Sequence, residues 1–366
     1  MAVYSYLFCD LKTGIILGDM PLHGVSFDRL LNKPGNLNAS CNLDNGWTEN
    51  EDILQYTTPA KTALYVYRED QIVWGGIIWS RVYQSQAKSI QISAQTFESY
   101  AYRRICRPAA QGITNLDMTQ SHMVDYFWTL MQSAANGSIG VLGAVQPFPS
   151  GDITRTRTIN PWDLNTYGEL IDGITNLDDG CDYAIEYYEE NGLPRSIVTV
   201  GYPRLGQDIS ASGVILDYPG CISNYYRTEN ATGWTNHHYA TGEGEGVGLR
   251  IGEATDLDSQ ISYPLLEDTN NYAGVTVQLT IDNHAASDMA NMAIGSNRFT
   301  LQLIATDEPV FGSYSLGDDA RVTIEDPRNP DGVEFTTRVV GWSVTPSSSE
   351  SIEEVSLVLE GDEGAS

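Results

Sequence analysis

Histidine, the commonest general base, has five copies in this chain, at His23, His122, His237, His238 and His284. The adjacent pair His237-His238 lies in a glycine-rich stretch, Thr235 to Gly248, with no cysteine near it and no carboxylate trio. A zinc site needs three or four such donors converging, so the pair reads as two exposed polar residues of a loop. No His-Glu-x-x-His and no Gly-x-Ser-x-Gly is present, which removes the zincin and serine-hydrolase templates. Gly242 to Gly248 (GEGEGVG) has the glycine density of a phosphate loop. Glutamates stand where phosphate would approach, and no βαβ unit follows. Asp178-Asp179 with Asp182, and Asp256 with Asp258, could donate oxygens to calcium. Neither set matches the twelve-residue calcium loop, so both read as solvated acidic turns. A glycosidase needs two carboxylates facing across a cleft, and nothing singles out a pair among 48 acids. No catalytic residue, no cofactor-binding residue and no metal ligand follows from the sequence, and no cofactor is implied.

Aromatic side chains offer a different chemistry. Tyr183, Tyr187 and Tyr188, then Tyr225, Tyr226, Trp234 and Tyr239, are dense enough for a sugar-stacking platform. That reading expects Tyr187, Tyr226 or Trp234 to face solvent. The alternative is an aromatic core or an oligomer interface, where Tyr and Trp are enriched. Alternate residues of a strand share a face, so Tyr183, Ile185 and Tyr187 would point together. The cysteines, Cys9, Cys41, Cys106, Cys181 and Cys221, are odd in number and lack knuckle spacing. Buried free thiols are the reading, not a disulfide framework.

The charge balance narrows the partners. With 48 acidic and 20 basic residues among 366, the formal net charge is −28, and only four basic residues are Lys (12, 33, 61 and 88). Such a chain is repelled by polyphosphate and by anionic bilayers. The hydrophobic fraction of 41%, with 21 Tyr and 7 Trp, is too high for an acidic disordered chain. The first twenty residues have no basic head and no clean apolar core, so no secretory signal and no membrane anchor is expected. The longest apolar run, Ile72 to Trp79 (IVWGGIIW), suits a strand.

Periodicity then supplies the elements. Residues 4–11, 14–19, 24–31, 37–43, 62–68, 72–83 and 88–94 read as strands, with a bulge or bend at Gly75-Gly76. Helical spacing follows at 96–106, 121–135 (stop at Asn136-Gly137) and 161–177, where Leu164, Tyr167, Leu170, Ile171 and Ile174 share a side. A hairpin at 182–201 ends this segment. Strands at 214–218 and 223–229 lead to the glycine-rich stretch, a flexible loop or a hairpin tip. Val275 to Thr280 reads as a strand and 283–294 as a helix. The strands 299–305, 320–325, 332–344 and 353–359 close the chain, with a tip at 347–350 and a polar end at 361–366. The fold class is mainly β with an α+β insertion. The expected domains are an N-terminal β-barrel (1–100, completed by about 195–230), an α/β insertion (101–194), a connecting β/helix domain (231–297) and a C-terminal β-barrel (298–366).

Several stretches in this order resemble the baseplate hub and minor tail proteins of long-tailed phages, most of all those of siphophages infecting actinobacteria. They are Met20 to Leu31 with Pro34-Gly35, Ala63 to Ile78 (ALYVYREDQIVWGGII), Ile90 to Arg104, Phe311 to Val322 and Arg338 to Val344 (RVVGWSV). The resemblance covers most of the chain. It implies a non-enzymatic virion protein of the tail tip, made in the host cytoplasm. It implies a homotrimer in which two similar barrels per chain form a pseudo-six-fold ring. That ring would adapt the tail tube to the tip and contact distal tail, tape-measure and tip or fibre proteins. DNA would pass its channel without specific binding, which the acidic charge suits. Some members of the family continue into a peptidoglycan hydrolase or a fibre. This chain closes after its last strand, so neither is expected. A β-rich carbohydrate- or receptor-binding module is the second reading and a glycoside hydrolase the third.

Overall fold

β-Branched and aromatic residues alternating with polar ones dominate the computed structural model, which describes residues 2–43, 49–107, 112–132, 151–177, 179–293, 297–347 and 353–360. Asp178, the helix stop expected at 136–137, all but the first residue of the tip expected at 347–350, and the polar end lie outside the described residues. The first strands are β1 (Tyr4–Asp10), β2 (Ile16–Asp19), β3 (His23–Leu30), β4 (Asn36–Asn42), β5 (Thr62–Arg68), β6 (Gln71–Gln84) and β7 (Ser89–Thr96), with helix α1 (Asn50–Tyr56) after β4. The insertion holds β8 (Thr114–Thr119), α2 (Gln120–Met131), β9 (Thr154–Ile159), α3 (Tyr167–Thr175), β10 (Asp182–Glu190) and β11 (Leu193–Gly201). Then come α4 (Ile209–Ser212), β12 (Val214–Tyr218), β13 (Ile222–Glu229), β14 (His237–Thr241), β15 (Ile251–Thr255), α5 (Ser259–Ser262), β16 (Glu267–Asn271) and α6 (Gln278–Asn291). The chain ends with β17 (Asn297–Ile304), β18 (Asp319–Ile324), β19 (Val333–Thr345) and β20 (Glu354–Leu359).

The protein is mainly β, and its described sheets are mostly antiparallel and none is closed into a barrel. The largest runs β13-β17-β20-β19-β3-β4-β7-β6-β5-β1-β2, with β18 joining β19 and β12 joining β18. The two closed barrels expected at the chain ends are therefore corrected. Closing the first would need a partner from its own strands on the free edge of β3. That edge is taken by β19, through Gly341↔Leu30 to Val344↔Phe27, while the first half of β19 pairs with β18. One long strand thus links the two β regions into a continuous open sheet.

The chain divides into two compact units, residues 1–224 with 301–358 and residues 225–300 with 359–366. In the first, insertion and sheet share one core. Cys9, Tyr65, Ile77 and Phe97 from the sheet side cluster with Phe127, Trp128, Tyr167, Ile171 and Tyr183. α2 buries Met123, Val124, Phe127, Trp128 and Met131, within the 121–135 segment expected to be helical. α3 begins at Tyr167 rather than 161 because Thr166 and Glu169 form a capping box there. Leu164, expected on its buried face, is exposed. The 96–106 segment is a 3-10 helix over Phe97–Arg103. Gly75-Gly76 forms no bulge: the register shifts fall at Val66/Tyr67 and Ile78/Ser80. The pair serves close approach instead, since a Cβ on Gly75 would stand 2.8 Å from the Tyr187 ring and one on Gly76 2.2 Å from the Gln95 carbonyl. All five cysteines are buried and free, and desolvation pushes Cys41, Cys106 and Cys221 up to about 11.

In the second unit, β15-β14-β16 forms a three-stranded sheet, with β16 parallel to β14, and α6 packs on β14 and β15. The glycine-rich stretch is a hairpin whose tip spans 242–250. The strand expected at 275–280 is not formed; α6 starts at Gln278 so that Ile281 and Ala285 meet Ala240. Burial of that helical face overrides the β-branched reading of Val275 to Thr280.

Candidate functional site

The geometry that distinguishes the first unit is a set of buried charges tying distant segments together. Asp182, read as part of an acidic turn, opens β10 and is buried. Its carboxylate accepts from the buried Arg338 guanidinium, from Leu205 N (3.0 Å) and from Asn32 Nδ2 (2.7 Å). Asn32 also accepts from Tyr183 N (2.7 Å), from a left-handed turn (φ 60°) that Asn tolerates. Arg338 also donates from Nε to Gly317 O (3.0 Å) and from Nη2 to Leu205 O (2.8 Å). Next to it, Arg204 grips Asp319 through two hydrogen bonds (2.7 and 2.8 Å), and Asp318 accepts from Gln207 N and Ser315 N (2.8 Å each). Residues 204–207 press so closely on 317–318 that a Cβ on Gly206 would overlap Gly317 at 2.0 Å. Both glycines have positive φ, so both need to be glycine. The clasp joins β3, β10, the 201–208 loop, β18 and β19.

Two further nodes complete it. Glu353 accepts from Arg68 Nε (2.7 Å) and Nη2 (3.0 Å) and from the Tyr4 hydroxyl, joining β20 to β1 and β5. Burial alone would raise its carboxyl, but those donors outweigh it and hold the group below the usual glutamate range. Arg29 on β3 donates to Ile185 O, lies 3.5 Å from Glu186, and stacks 4.8 Å over Tyr187 and 5.8 Å over Trp342. Glu98 is buried with one carboxylate oxygen lacking a hydrogen bond, and desolvation pushes its carboxyl up.

The second unit has buried polar groups of its own. His238 is fully buried on β14, its Nε2 3.1 Å from Asp288 Oδ2. Asp288 accepts from the Tyr272 hydroxyl (2.8 Å) and Asn270 Nδ2 (2.9 Å), and the Tyr272 ring stacks on His284 at 3.8 Å. The expectation of two exposed loop histidines is thus corrected: the strand alternation of His237–Thr241 puts His238 and Ala240 inward. His237 is half-buried, its Nδ1 2.8 Å from Thr255 Oγ1.

The aromatic residues singled out in the sequence divide between core and surface. Tyr187 packs in the core of the first unit and donates its hydroxyl to Gly75 O (2.8 Å). Tyr183 and Ile185 share that face, as their spacing requires. In the other unit, Tyr226 is exposed, while Trp234 is half-buried, edge-on to Tyr263. Asp179 pairs with Arg155, and Asp256 caps the turn at Ser259 N (3.0 Å). Among the described residues no group of three or more His, Cys, Asp or Glu is placed to hold a metal ion, and no helix is long and apolar enough to cross a membrane.

No protein-family profile matches the chain, and no curated protein matches it. Solved structures do. A 43 kDa tail protein of prophage MuSo2 from Shewanella oneidensis superposes with a TM-score of 0.63 at 12% identity, covering 97% of this chain and 98% of the other. A tail protein from Neisseria meningitidis MC58 gives 0.61 at 11% identity, with 99% and 97% covered. Prophage tail protein gp18 from Listeria monocytogenes EGD-e gives 0.52 at 10%, with 97% and 94% covered. The fold is therefore shared end to end with phage tail proteins, at identities that speak for the fold alone.

Proposed function

We propose that this chain is a structural, non-enzymatic protein of a phage tail tip, acting as a baseplate hub in the virion. The observation that carries the reading is the two-way, near-complete overlap with the Shewanella and Neisseria tail proteins. In the proposed assembly three copies form a ring, each contributing its N-terminal and C-terminal β regions as two related sectors. The ring joins the tail tube to the tip, contacts distal tail, tape-measure and tip or fibre proteins, and lets DNA pass. The net charge of −28 per chain supports a duct that repels the duplex rather than holding it. The buried clasp supports a part that must keep its shape, since several fully engaged charges fix the geometry of the strands they join. The apolar side chains left on the surface of the second unit suit a protein that works inside an assembly.

The test is mass photometry and negative-stain imaging of the purified chain, alone and with the tube protein of the same tail. A ring of three copies with a central opening wide enough for a duplex is expected. A chain that stays monomeric in both, or is absent from purified virions, would overturn the reading.

A further inference from the structure

One concave feature of the first unit is used by none of the interactions above. It is an open cleft of about 480 Å³ lined by Pro34, Trp79, Gln95, Ser99, Tyr102 and Arg103. That volume is within the range of small-ligand sites, and the lining combines two aromatic rings with the polar side chains of Gln95, Ser99 and Arg103. The walls are held in place from behind. Trp79 Nε1 donates to Ser99 Oγ (2.9 Å), Ser99 Oγ donates to Thr96 O (2.7 Å), and the Tyr102 hydroxyl donates to Asp172 (2.8 Å). The polar atoms of both rings are thereby committed to the protein, and what the rings have left to offer is apolar surface. Gln95 gives one N–H to Asn36 (3.1 Å). An amide has a second N–H and a carbonyl besides.

Arg103 supplies the charge. It is exposed, sits 5.7 Å over the Trp79 ring, and has no carboxylate partner among the described residues. In a chain with 48 acids and 20 bases, a guanidinium left without an acid beside an aromatic cleft is available to an outside anion. The ligand must then combine one carboxylate with an apolar face and polar groups around its rim. An extended peptide fits poorly, because β4, β6 and β7 each have both edges paired and leave no ladder for a main chain. A polyanion fits poorly against a charge of −28. We propose that the Trp79–Tyr102–Arg103 cleft binds an acidic saccharide, with the sugar's C–H face against the rings, its carboxylate on Arg103 and its hydroxyls on Gln95.

The test is isothermal titration of the full chain with cellobiouronic acid, with cellobiose as the neutral counterpart of the same skeleton and the peptide Glu-Tyr-Glu as the competing acidic class. Saturable binding of the uronate is expected, with cellobiose and Arg103→Gln each weaker by about tenfold or more, the scale of a lost charged hydrogen bond. Trp79→Ala should remove binding. Because Trp79 also packs, Arg103→Gln at an exposed site is the deciding variant, and its unchanged melting curve confirms the fold. No saturable binding of the uronate, equal affinity in Arg103→Gln, or tighter binding of the peptide would overturn the proposal. The measurement is made on the isolated chain, so its outcome is independent of whether the chain forms a ring.

Discussion

The two units solve the problem of staying folded in opposite ways. The first buries Tyr65, Trp74, Phe97, Phe127, Trp128 and Tyr183 and pins its segments with the Asp182–Arg338 and Glu353–Arg68 pairs. Among its described residues the second has a small buried cluster, Ala240, Ile281 and Ala285, and buried polar side chains at His238, Thr235 and Asn236. Meanwhile Leu257, Ile261 and Leu265 stay 71, 83 and 56% exposed. Local stability follows buried apolar contact, so the first unit should behave as a frame and the second as a softer appendage. The difference teaches that aromatic content is not core content: the second unit contains Tyr226, Trp234, Tyr239, Tyr263 and Tyr272, yet none lies in its fully buried cluster.

The strongest way to break the comparison is to unpin the frame. Arg338→Ala leaves Asp182 buried without its counter-charge, which should cost ~3–5 kcal/mol in denaturant unfolding. Hydrogen exchange should show protection lost in β3, β10, β18 and β19, with β14–β16 little changed. A loss under ~1 kcal/mol, or equal loss in both units, would show that the clasp is not what holds the frame. Ile281→Ala is the mirror experiment. It removes the largest side chain of the small cluster and should cost about 2–4 kcal/mol, read as faster exchange confined to β14, β15 and α6. Exchange rising across the first unit as well would erase the distinction.

Glu353 sharpens the comparison through pH. Its folded carboxyl is held below the usual range, so the stability it contributes is present above the ordinary glutamate value of about 4.3 and is lost as pH falls through the depressed folded value. Glu98 has the opposite sign: its raised carboxyl favours the fold as pH falls. Glu353→Gln should cost about 2 kcal/mol near neutrality and flatten the acid limb of the stability curve. An acid limb as steep as in the unaltered chain would mean that other carboxylates carry it.

How much of this was legible depended on sequence distance. The helical spacing of α2 lies within one short stretch, whereas the capping box that starts α3, Thr166 to Glu169, is just as local and was passed over in favour of a start at Pro161. The alternation of β10 placed Tyr183, Ile185 and Tyr187 on one face. The clasp was not legible, because Asp182 and Arg338 stand 156 residues apart and nothing near either residue announces the other. The open sheet was missed for a related reason: barrel closure and continuation through β19 use the same alternating strands and differ only in which edge β3 receives. His238 was hidden by its glycine-rich surroundings, which mask a five-residue alternation. The Trp79 cleft was missed because its walls come from β6 and from the 3-10 helix after β7, and no spacing rule connects them.

The smallest expected effect tests the softer unit from outside. Leu257, Ile261 and Leu265 fall in a nine-residue stretch around α5, and their exposure means that little apolar area is recovered from water when the isolated chain folds. Leu257→Ser, Ile261→Ser and Leu265→Ser should therefore each change unfolding free energy by less than about 0.5 kcal/mol. A loss of ~2 kcal/mol at any of them would show that the side chain is covered within the chain itself, and the contrast between the units would shrink accordingly. A null effect on folding gives the surface a different meaning: these side chains add nothing to the stability of the chain alone, which is what the proposed role as one part of an assembly expects of apolar groups left on a surface.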